Sequence, residues 1–165
     1  MAFEDDLDRY FRLRPTAPAG PIRATRLLMR TAVLLEARMD RALAQHGLLM
    51  REYLALAFIS LHKGERLRPS ELSTSLDASR TQVTRLLDAL ESQGLVERQA
   101  AVEDRRALQL ALTPAGSRKL SAAAPDVHEA YRQSWATVGD DFDATLRGLR
   151  AVNTQLEADG EGAAP

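Results

Sequence analysis

Apolar residues recur at helical spacing over most of this chain. Residues 3–13, 22–46 and 50–63 each repeat apolar side chains every three or four positions, which is the spacing of one face of an α-helix. Gly47 and Gly64 follow the second and third of these segments, and glycine is common after a helix because it adopts a left-handed conformation without strain. The pattern therefore predicts a mainly helical N-terminal part.

Two closely spaced helices are predicted in the central part of the chain. Pro69 suits the first turn of a short helix, because proline has no N–H to leave unpaired there. Ser79 and Gln82 have the spacing of a capping box, which predicts the start of a second helix. Gly94 is expected to end it. A connection this short between two helices is typical of a helix-turn-helix.

A short hairpin is predicted directly after these helices. Strands are expected at 95–99 and 107–112, and the second alternates so that one face carries Leu108, Leu110 and Leu112. Residues 103–106 form a charged turn between the two strands. A hairpin in this position is called a wing, and its leucine face is expected to pack on the helices.

Two further helices are predicted after the wing. Thr113 and Pro114 suit the N-cap and the first residue of a helix. Pro125 is expected to interrupt or kink that helix, because proline cannot donate to the carbonyl four residues earlier. A last helix repeats apolar residues from Phe142 to Leu156 at heptad-like spacing.

The helix that follows Ser79 is the candidate for contact with DNA. The second helix of a helix-turn-helix lies in the major groove and contacts base edges with its N-terminal residues. Here that part carries arginine for guanine or phosphate, glutamine for adenine, and threonine for phosphate or the thymine methyl group. The candidate DNA-binding residues are Arg80, Thr81, Gln82, Thr84 and Arg85. The alternative is an ordinary polar helix surface.

The turn of the wing adds Asp104, Arg105 and Arg106 to the DNA-binding candidates. An arginine is favoured in a narrow minor groove because the potential there is strongly negative. Asp104 and Arg106 are two positions apart and can point the same way, so the carboxylate would orient the guanidinium. Arg105 would lie nearer to a phosphate or to solvent. The alternative is a solvated charged turn without a function.

The stretch "SRTQVTRLLDALESQGLVERQ", followed by "EDRRALQLALTPAG", resembles the MarR family of bacterial winged-helix regulators. The likeness extends over residues 22–158, and the family's D-x-R wing motif falls on Asp104 and Arg106. The resemblance implies a homodimer, joined by its N- and C-terminal helices, that represses transcription. It also implies that small aromatic or anionic molecules commonly relieve the repression.

Apolar residues outside the helix-turn-helix also indicate a homodimer. A two-fold interface of intertwined helices would bury Tyr131, Trp135, Phe142 and Leu146. The expected division is 1–47 for N-terminal dimerisation helices, 48–113 for the winged helix-turn-helix and 114–165 for C-terminal dimerisation helices and the tail. The predicted fold class is mainly α with a small two- or three-stranded β wing, a winged helix-turn-helix joined to a helical dimerisation region.

A small-molecule effector is expected where the dimerisation helices meet the DNA-binding region. Soft and aromatic side chains suit a planar ligand, and an arginine suits its carboxylate. The candidate ligand-binding residues are Met39, Met50 and Tyr53, with Arg30, Arg23 or Arg26 as the cation. The alternative is ordinary core for the apolar residues and ordinary surface for the arginines.

Composition and charge narrow the class of function. The chain has no cysteine, which removes disulfides, thiolate ligands and thiol-based redox sensing. The histidines lack ligand spacing and no catalytic triad is visible, so neither an enzyme nor a metal or cofactor is expected. Residues 60–120 carry 10 basic and 8 acidic side chains, whereas residues 121–165 carry 3 and 8. Residues 1–59 carry 9 basic and 7 acidic side chains, so the middle is mildly basic and the C-terminal part is acidic. This asymmetry suggests a region that faces a polyanion and a region that faces elsewhere, and the alternative is random variation of the surface.

The sequence thus predicts a ligand-responsive repressor that binds a pseudo-palindromic operator in double-stranded DNA as a homodimer. No apolar run is long enough to span a bilayer and the N-terminus is acidic, so a cytoplasmic protein without a membrane partner is expected. The alternatives are a winged-helix activator, a ligand-independent regulator and a protein-interaction module. The last of these would keep its affinity as salt rises, because it releases no counterions.

Overall fold

The computed structural model describes residues 2–62, 67, 69–100 and 108–161. The elements in these ranges are α1 (Ala2–Leu13), α2 (Ala19–Leu43), α3 (Met50–Leu61), α4 (Pro69–Ser75), α5 (Arg80–Ser92), β1 (Val96–Ala100), β2 (Leu108–Leu112), α6 (Pro114–Trp135) and α7 (Phe142–Glu161). Short 3-10 helices follow α2 and precede α7. The predicted fold class is confirmed, while the helix end predicted at Gly64 lies outside the described residues.

Helix α2 is longer at its start and shorter at its end than the sequence pattern predicts. It begins at Ala19 because Pro21 falls within its first turn, where proline leaves no N–H unpaired. It ends at Leu43, and the chain continues to His46 as a 3-10 helix. Gly47 then closes the segment in a left-handed conformation with φ of 59°, as predicted.

Carboxylates from two helices hold the start of α3. Asp40 of α2 accepts a hydrogen bond from the backbone N–H of Met50 at 2.7 Å. Glu52 of α3 accepts one from the backbone N–H of Leu49 at 2.8 Å. Both contacts satisfy donors that a helix leaves unpaired in its first turn, and the first also joins α2 to α3.

The turn between α4 and α5 and the two ends of α5 follow local sequence signals. Asp77 takes a left-handed conformation in the turn, with φ of 46°. The Ser79 hydroxyl accepts from the backbone N–H of Gln82 at 3.3 Å, and the Gln82 side chain accepts from the backbone N–H of Ser79 at 2.8 Å. This is the predicted capping box. Gly94, with φ of 67°, follows the end of the helix, as predicted.

The wing is a two-stranded antiparallel sheet in the residues that the structure describes. Val96 of β1 lies opposite Leu112 of β2, and Arg98 lies opposite Leu110. Leu110 is buried, which confirms the inward direction of the leucine face at that position. The turn residues 101–107 lie outside the described part of the chain.

Helix α6 passes through Pro125 without a break. It runs from Pro114 to Trp135, so the interruption expected at Pro125 is wrong. Proline removes one intrahelical donor, but Ala123 and Val127 on either side of it are fully buried in the core. Tertiary packing on this face therefore holds the helix together across the missing hydrogen bond.

A single core joins the helices on both sides of the wing. Its fully buried side chains include Leu43 of α2, Leu56 of α3, Leu87 of α5 and Val127 of α6. Among the described side chains of α7, none is buried. Large apolar residues remain exposed on α2, α6 and α7, namely Leu27, Leu28, Met29, Val33, Leu34, Tyr131, Phe142, Val152 and Leu156. Within the described ranges, no helix has both the length and the hydropathy required to cross a membrane.

Candidate nucleic-acid interface

The N-terminal half of α5 presents the predicted DNA-binding residues on its exposed surface. Arg80, Thr81, Gln82, Thr84 and Arg85 are all exposed. The opposite face of the same helix buries Val83, Leu87 and Leu90 in the core. Burial of one face fixes the rotation of α5 about its axis, so the polar side chains are held outwards by the fold rather than by contacts of their own.

Two of these side chains already form hydrogen bonds in the absence of DNA. The side-chain oxygen of Gln82 accepts from both the backbone N–H and the hydroxyl of Ser79, at 2.8 and 3.0 Å. The Thr84 hydroxyl donates to the carbonyl of Arg80 at 2.9 Å. A bidentate contact of Gln82 with adenine needs the same oxygen as an acceptor, so base contact would compete with the helix cap.

The arginines of α5 are not engaged in this way. Within the described residues, neither Arg80 nor Arg85 has a carboxylate within ion-pair distance. Both guanidinium groups are therefore available for phosphate oxygens or for guanine edges at the start of the helix.

Arg98 of β1 contacts the side of α5 that faces the wing. Its guanidinium contacts Asp88 at 2.5 Å and Glu91 at 3.2 Å, and both of these acids belong to α5. The sequence pattern does not single out Arg98. The available signal is the alternation of β1, which places an arginine on the inward side of the strand.

Thr113 and Gly116 join the base of the wing to α6. The Thr113 hydroxyl donates to the carbonyl of Gly94 at 2.7 Å and accepts from the backbone N–H of Gly116 at 3.0 Å. A side chain on Gly116 would place its Cβ 2.0 Å from the carbonyl oxygen of Leu95. The T-x-x-G sequence thus provides a helix cap at Thr113 and leaves room at Gly116 for the backbone of Leu95.

The remaining DNA-binding candidates, Asp104, Arg105 and Arg106, lie outside the described residues. Their direction relative to the groove remains a prediction. The structure does place both strands that lead to them, in the register given above.

The predicted ligand-binding residues are placed in two separate regions. Met39, Met50 and Tyr53 belong to the core and are closed to solvent in the single chain. Arg30 lies nine residues before Met39 on α2, which is about 14 Å along the helix axis. Its guanidinium lies 5.3 Å from the ring centre of Phe3 on α1. Within one chain, the structure therefore does not bring Arg30 to the other three residues.

A shallow cavity of about 600 Å³, wide open to solvent, lies at the end of α6. Its lining includes Tyr131, Arg132, Trp135 and Phe142. Burial and the charge of Tyr53 raise the pKa of Tyr131, and burial raises the pKa of Tyr53. Tyr131 thus lies at this cavity and is influenced electrostatically by Tyr53 of the core. The sequence pattern assigns these aromatic residues to a dimer interface and does not indicate a cavity.

Known proteins resemble the chain in sequence and in fold. A profile described as MarR family matches residues 46–107. The transcriptional repressor MprA of Escherichia coli K12 is 33% identical over 147 residues, covering 87% of this chain and 84% of MprA. The DNA complex of the Mycobacterium tuberculosis regulator MosR superposes with a TM-score of 0.69, at 31% identity, covering 82% of this chain and 96% of MosR.

A third relative is known with a small molecule bound. CouR from Rhodococcus jostii RHA1, in complex with p-coumaroyl-CoA, superposes with a TM-score of 0.67 at 25% identity. The match covers 79% of this chain and 88% of CouR.

The fold and the exposed face of α5 define a winged-helix DNA-binding protein. With the sequence relatives above, they show that the chain belongs to the MarR family of transcriptional regulators, as the resemblance in its sequence predicts. Members of this family are DNA-binding regulators and not enzymes.

Proposed function

We propose that this protein represses transcription by binding a pseudo-palindromic operator as a homodimer. The observation that carries the proposal is the face of α5, where Arg80 and Arg85 are exposed without carboxylate partners among the described residues. In the proposed complex, this helix lies in the major groove, and Thr81, Gln82 and Thr84 complete the contact. Arg106 of the wing turn enters the neighbouring minor groove, oriented by Asp104, and Arg105 lies nearer to a phosphate.

The exposed apolar side chains of α2 and α7 support the homodimer. Val33 is 66% exposed and Leu156 is 64% exposed. Each lies on a long helix that carries several other exposed apolar residues. A monomer rarely leaves such an extended apolar surface in water. We therefore assign residues 1–47 and 114–165 to dimerisation and residues 48–113 to DNA binding. We also propose a cytoplasmic location, because that is where the operator DNA lies.

The proposed effector is a small aromatic or anionic molecule. The cavity at Tyr131, Trp135 and Phe142 offers aromatic walls, and its lining includes the guanidinium of Arg132. Met39, Met50 and Tyr53 would form the core side of the effector site. Arg30 remains a sequence-based candidate for the ligand carboxylate. CouR, which binds p-coumaroyl-CoA, is a structural relative with a ligand of this chemistry.

Selection from a random-sequence DNA pool tests the proposal without knowledge of the operator. We expect the protein to enrich duplexes with two half-sites whose centres are about 34 Å apart. Affinity should fall as salt rises, because phosphate contacts release counterions. A protein that enriches no sequence and binds duplex DNA equally at all salt concentrations would instead fit a protein-interaction module.

Titration of the selected complex with aromatic carboxylates tests the effector. We expect these compounds to weaken DNA binding by a coupling free energy of about 1–3 kcal/mol, with cyclohexanecarboxylate as the non-aromatic control. A reporter gene under the selected operator distinguishes repression from activation. Unchanged affinity across the whole panel would favour a ligand-independent regulator.

A further inference from the structure

Arg98 lies at a position of the wing where the strand pattern favours an apolar residue. Residues directly opposite each other in an antiparallel pair point to the same face. Val96 is buried and lies opposite Leu112, while Arg98 lies opposite the buried Leu110. The side chain of Arg98 therefore starts from the inner face of the wing, towards the helices.

The guanidinium of Arg98 is engaged by two carboxylates of α5. Nη2 lies 2.5 Å from Oδ1 of Asp88, and Nη1 lies 3.2 Å from Oε2 of Glu91. Asp88 and Glu91 are three residues apart and so lie on the same side of the helix. The Arg98 side chain is only 28% exposed, although it carries a charge.

These contacts join the middle of β1 to the helix that we assign to the major groove. A two-stranded hairpin is marginally stable by itself and takes its orientation from what it packs against. Val96 holds the base of the strand, and Arg98 lies two residues closer to the turn. A planar guanidinium held by two carboxylates fixes direction as well as distance.

We propose that Arg98 is a positioning residue that sets the wing against α5, so that the major-groove and minor-groove contacts form together. This inference rests on the proposed function. Arg98 itself does not contact a phosphate, because two carboxylates occupy its nitrogens and would repel a third anion. The proposal also explains why a DNA-binding helix carries Asp88 and Glu91, whose charges oppose DNA binding if electrostatics act alone.

Dimethyl sulfate footprinting on the selected duplex separates the two grooves. The reagent methylates guanine N7, which faces the major groove, and adenine N3, which faces the minor groove. The wild-type protein should protect both. Arg98→Gln should retain guanine N7 protection at the α5 contact and lose adenine N3 protection beside it, with a fall in affinity of about tenfold.

The decisive test replaces the two acidic partners of Arg98. The double substitution Asp88→Asn/Glu91→Gln removes two negative charges near DNA, so electrostatics alone predicts tighter binding. The positioning role predicts the same loss of adenine N3 protection as in Arg98→Gln, and no further loss when the two sets of changes are combined. Asp8→Asn is the matched control, because it breaks an ion pair of 2.6 Å with Arg23 in a different part of the chain.

Three results would overturn the proposal. The first is tighter binding and intact N3 protection in Asp88→Asn/Glu91→Gln, and the second is equal loss of protection in both grooves in Arg98→Gln. The third is a wild-type footprint confined to guanine N7, which would show that the wing does not enter the minor groove. A wild-type protein that protects no base would remove the proposed function itself and this inference with it. If Arg98→Gln does not fold, the acidic variant decides the matter, since Asp88 and Glu91 are exposed.

Discussion

Gly116 of α6 lies against the backbone of Leu95, the residue directly before β1. A Cβ at this position would lie 2.0 Å from the carbonyl oxygen of Leu95, and that oxygen belongs to the backbone and cannot swing away. We expect Gly116→Ala to lower the free energy of unfolding by about 2–4 kcal/mol, measured by urea denaturation at fixed protein concentration.

Gly148 in α7 is the matched control for this prediction. It is also a helical glycine, but a Cβ there would meet nothing within 4 Å. Gly148→Ala should leave stability unchanged or raise it by up to about 1 kcal/mol, because alanine is the better helix former. Equal effects of the two substitutions would contradict the role assigned to the Leu95 contact.

The buried phenol of Tyr53 should make stability fall at alkaline pH. Burial raises its pKa above the ordinary value of about 10, so the unfolded chain loses the proton first as pH rises. The contribution of Tyr53 is therefore constant well below pH 10 and is lost as pH rises from there through the folded-state pKa. Tyr53→Phe should make the decline above about pH 10 shallower in urea denaturation.

Tyr10 supplies the control for the alkaline experiment. It is 47% exposed on α1. Tyr10→Phe therefore removes the hydroxyl of an exposed tyrosine and leaves the buried phenol of Tyr53 in place. The decline of stability with pH should remain as steep as in the wild type. An identical slope in all three proteins would mean that Tyr53 does not contribute to alkaline unfolding.

At the scale of elements, local signals predict the starts of helices, and tertiary contacts decide where they continue. Ser79 with Gln82 and Thr113 with Pro114 mark helix starts correctly, because a cap is formed by residues adjacent in sequence. Pro125 misleads as a sign of interruption, because its effect depends on core packing around it.

The same distinction applies to the candidate site. The exposed residues of α5 could be predicted from one amphipathic helix. The contact of Arg98 with Asp88 and the position of Arg30 over Phe3 could not, because each depends on how two elements pack. The cavity at Tyr131 could not be predicted either. The periodicity of apolar residues indicates which face of a helix packs against another surface, but not whether the packing leaves a cavity.

The turn of the wing is the element with the sharpest functional prediction. Arg106→Ala should lower operator affinity by about 1–3 kcal/mol and reduce the salt slope by about one, because it removes the proposed contact in the minor groove. Arg105→Ala should have a smaller effect. Asp104→Ala should weaken binding although it removes a negative charge, because the proposed role of Asp104 is to orient the guanidinium of Arg106. Fluorescence anisotropy at several salt concentrations measures all three, and tighter binding by Asp104→Ala would show that the acid only repels DNA.

At the scale of the whole molecule, the exposed apolar residues of α2 and α7 belong to the proposed dimer interface. Each substitution in a two-fold interface acts twice, once in each subunit. Val33 is 66% exposed on α2, in the region assigned to dimerisation, and Leu61 is 79% exposed at the end of α3, in the region assigned to DNA binding. The two residues therefore offer a comparison in which exposure in the single chain is similar and only the proposed partner differs.

Val33→Lys should weaken dimerisation by about 3 kcal/mol or more, because burial of each apolar side chain contributes about 1.5–3 kcal/mol and a lysine cannot replace it. Analytical ultracentrifugation should then show a dissociation constant raised by about a hundredfold or more. Operator affinity should fall as well, because two linked DNA-binding units bind adjacent half-sites more tightly than separate ones. Leu61→Lys should leave the dimer intact. If Leu61→Lys dissociates the protein and Val33→Lys does not, the interface lies at the DNA-binding region and the assignment of α2 to dimerisation is wrong.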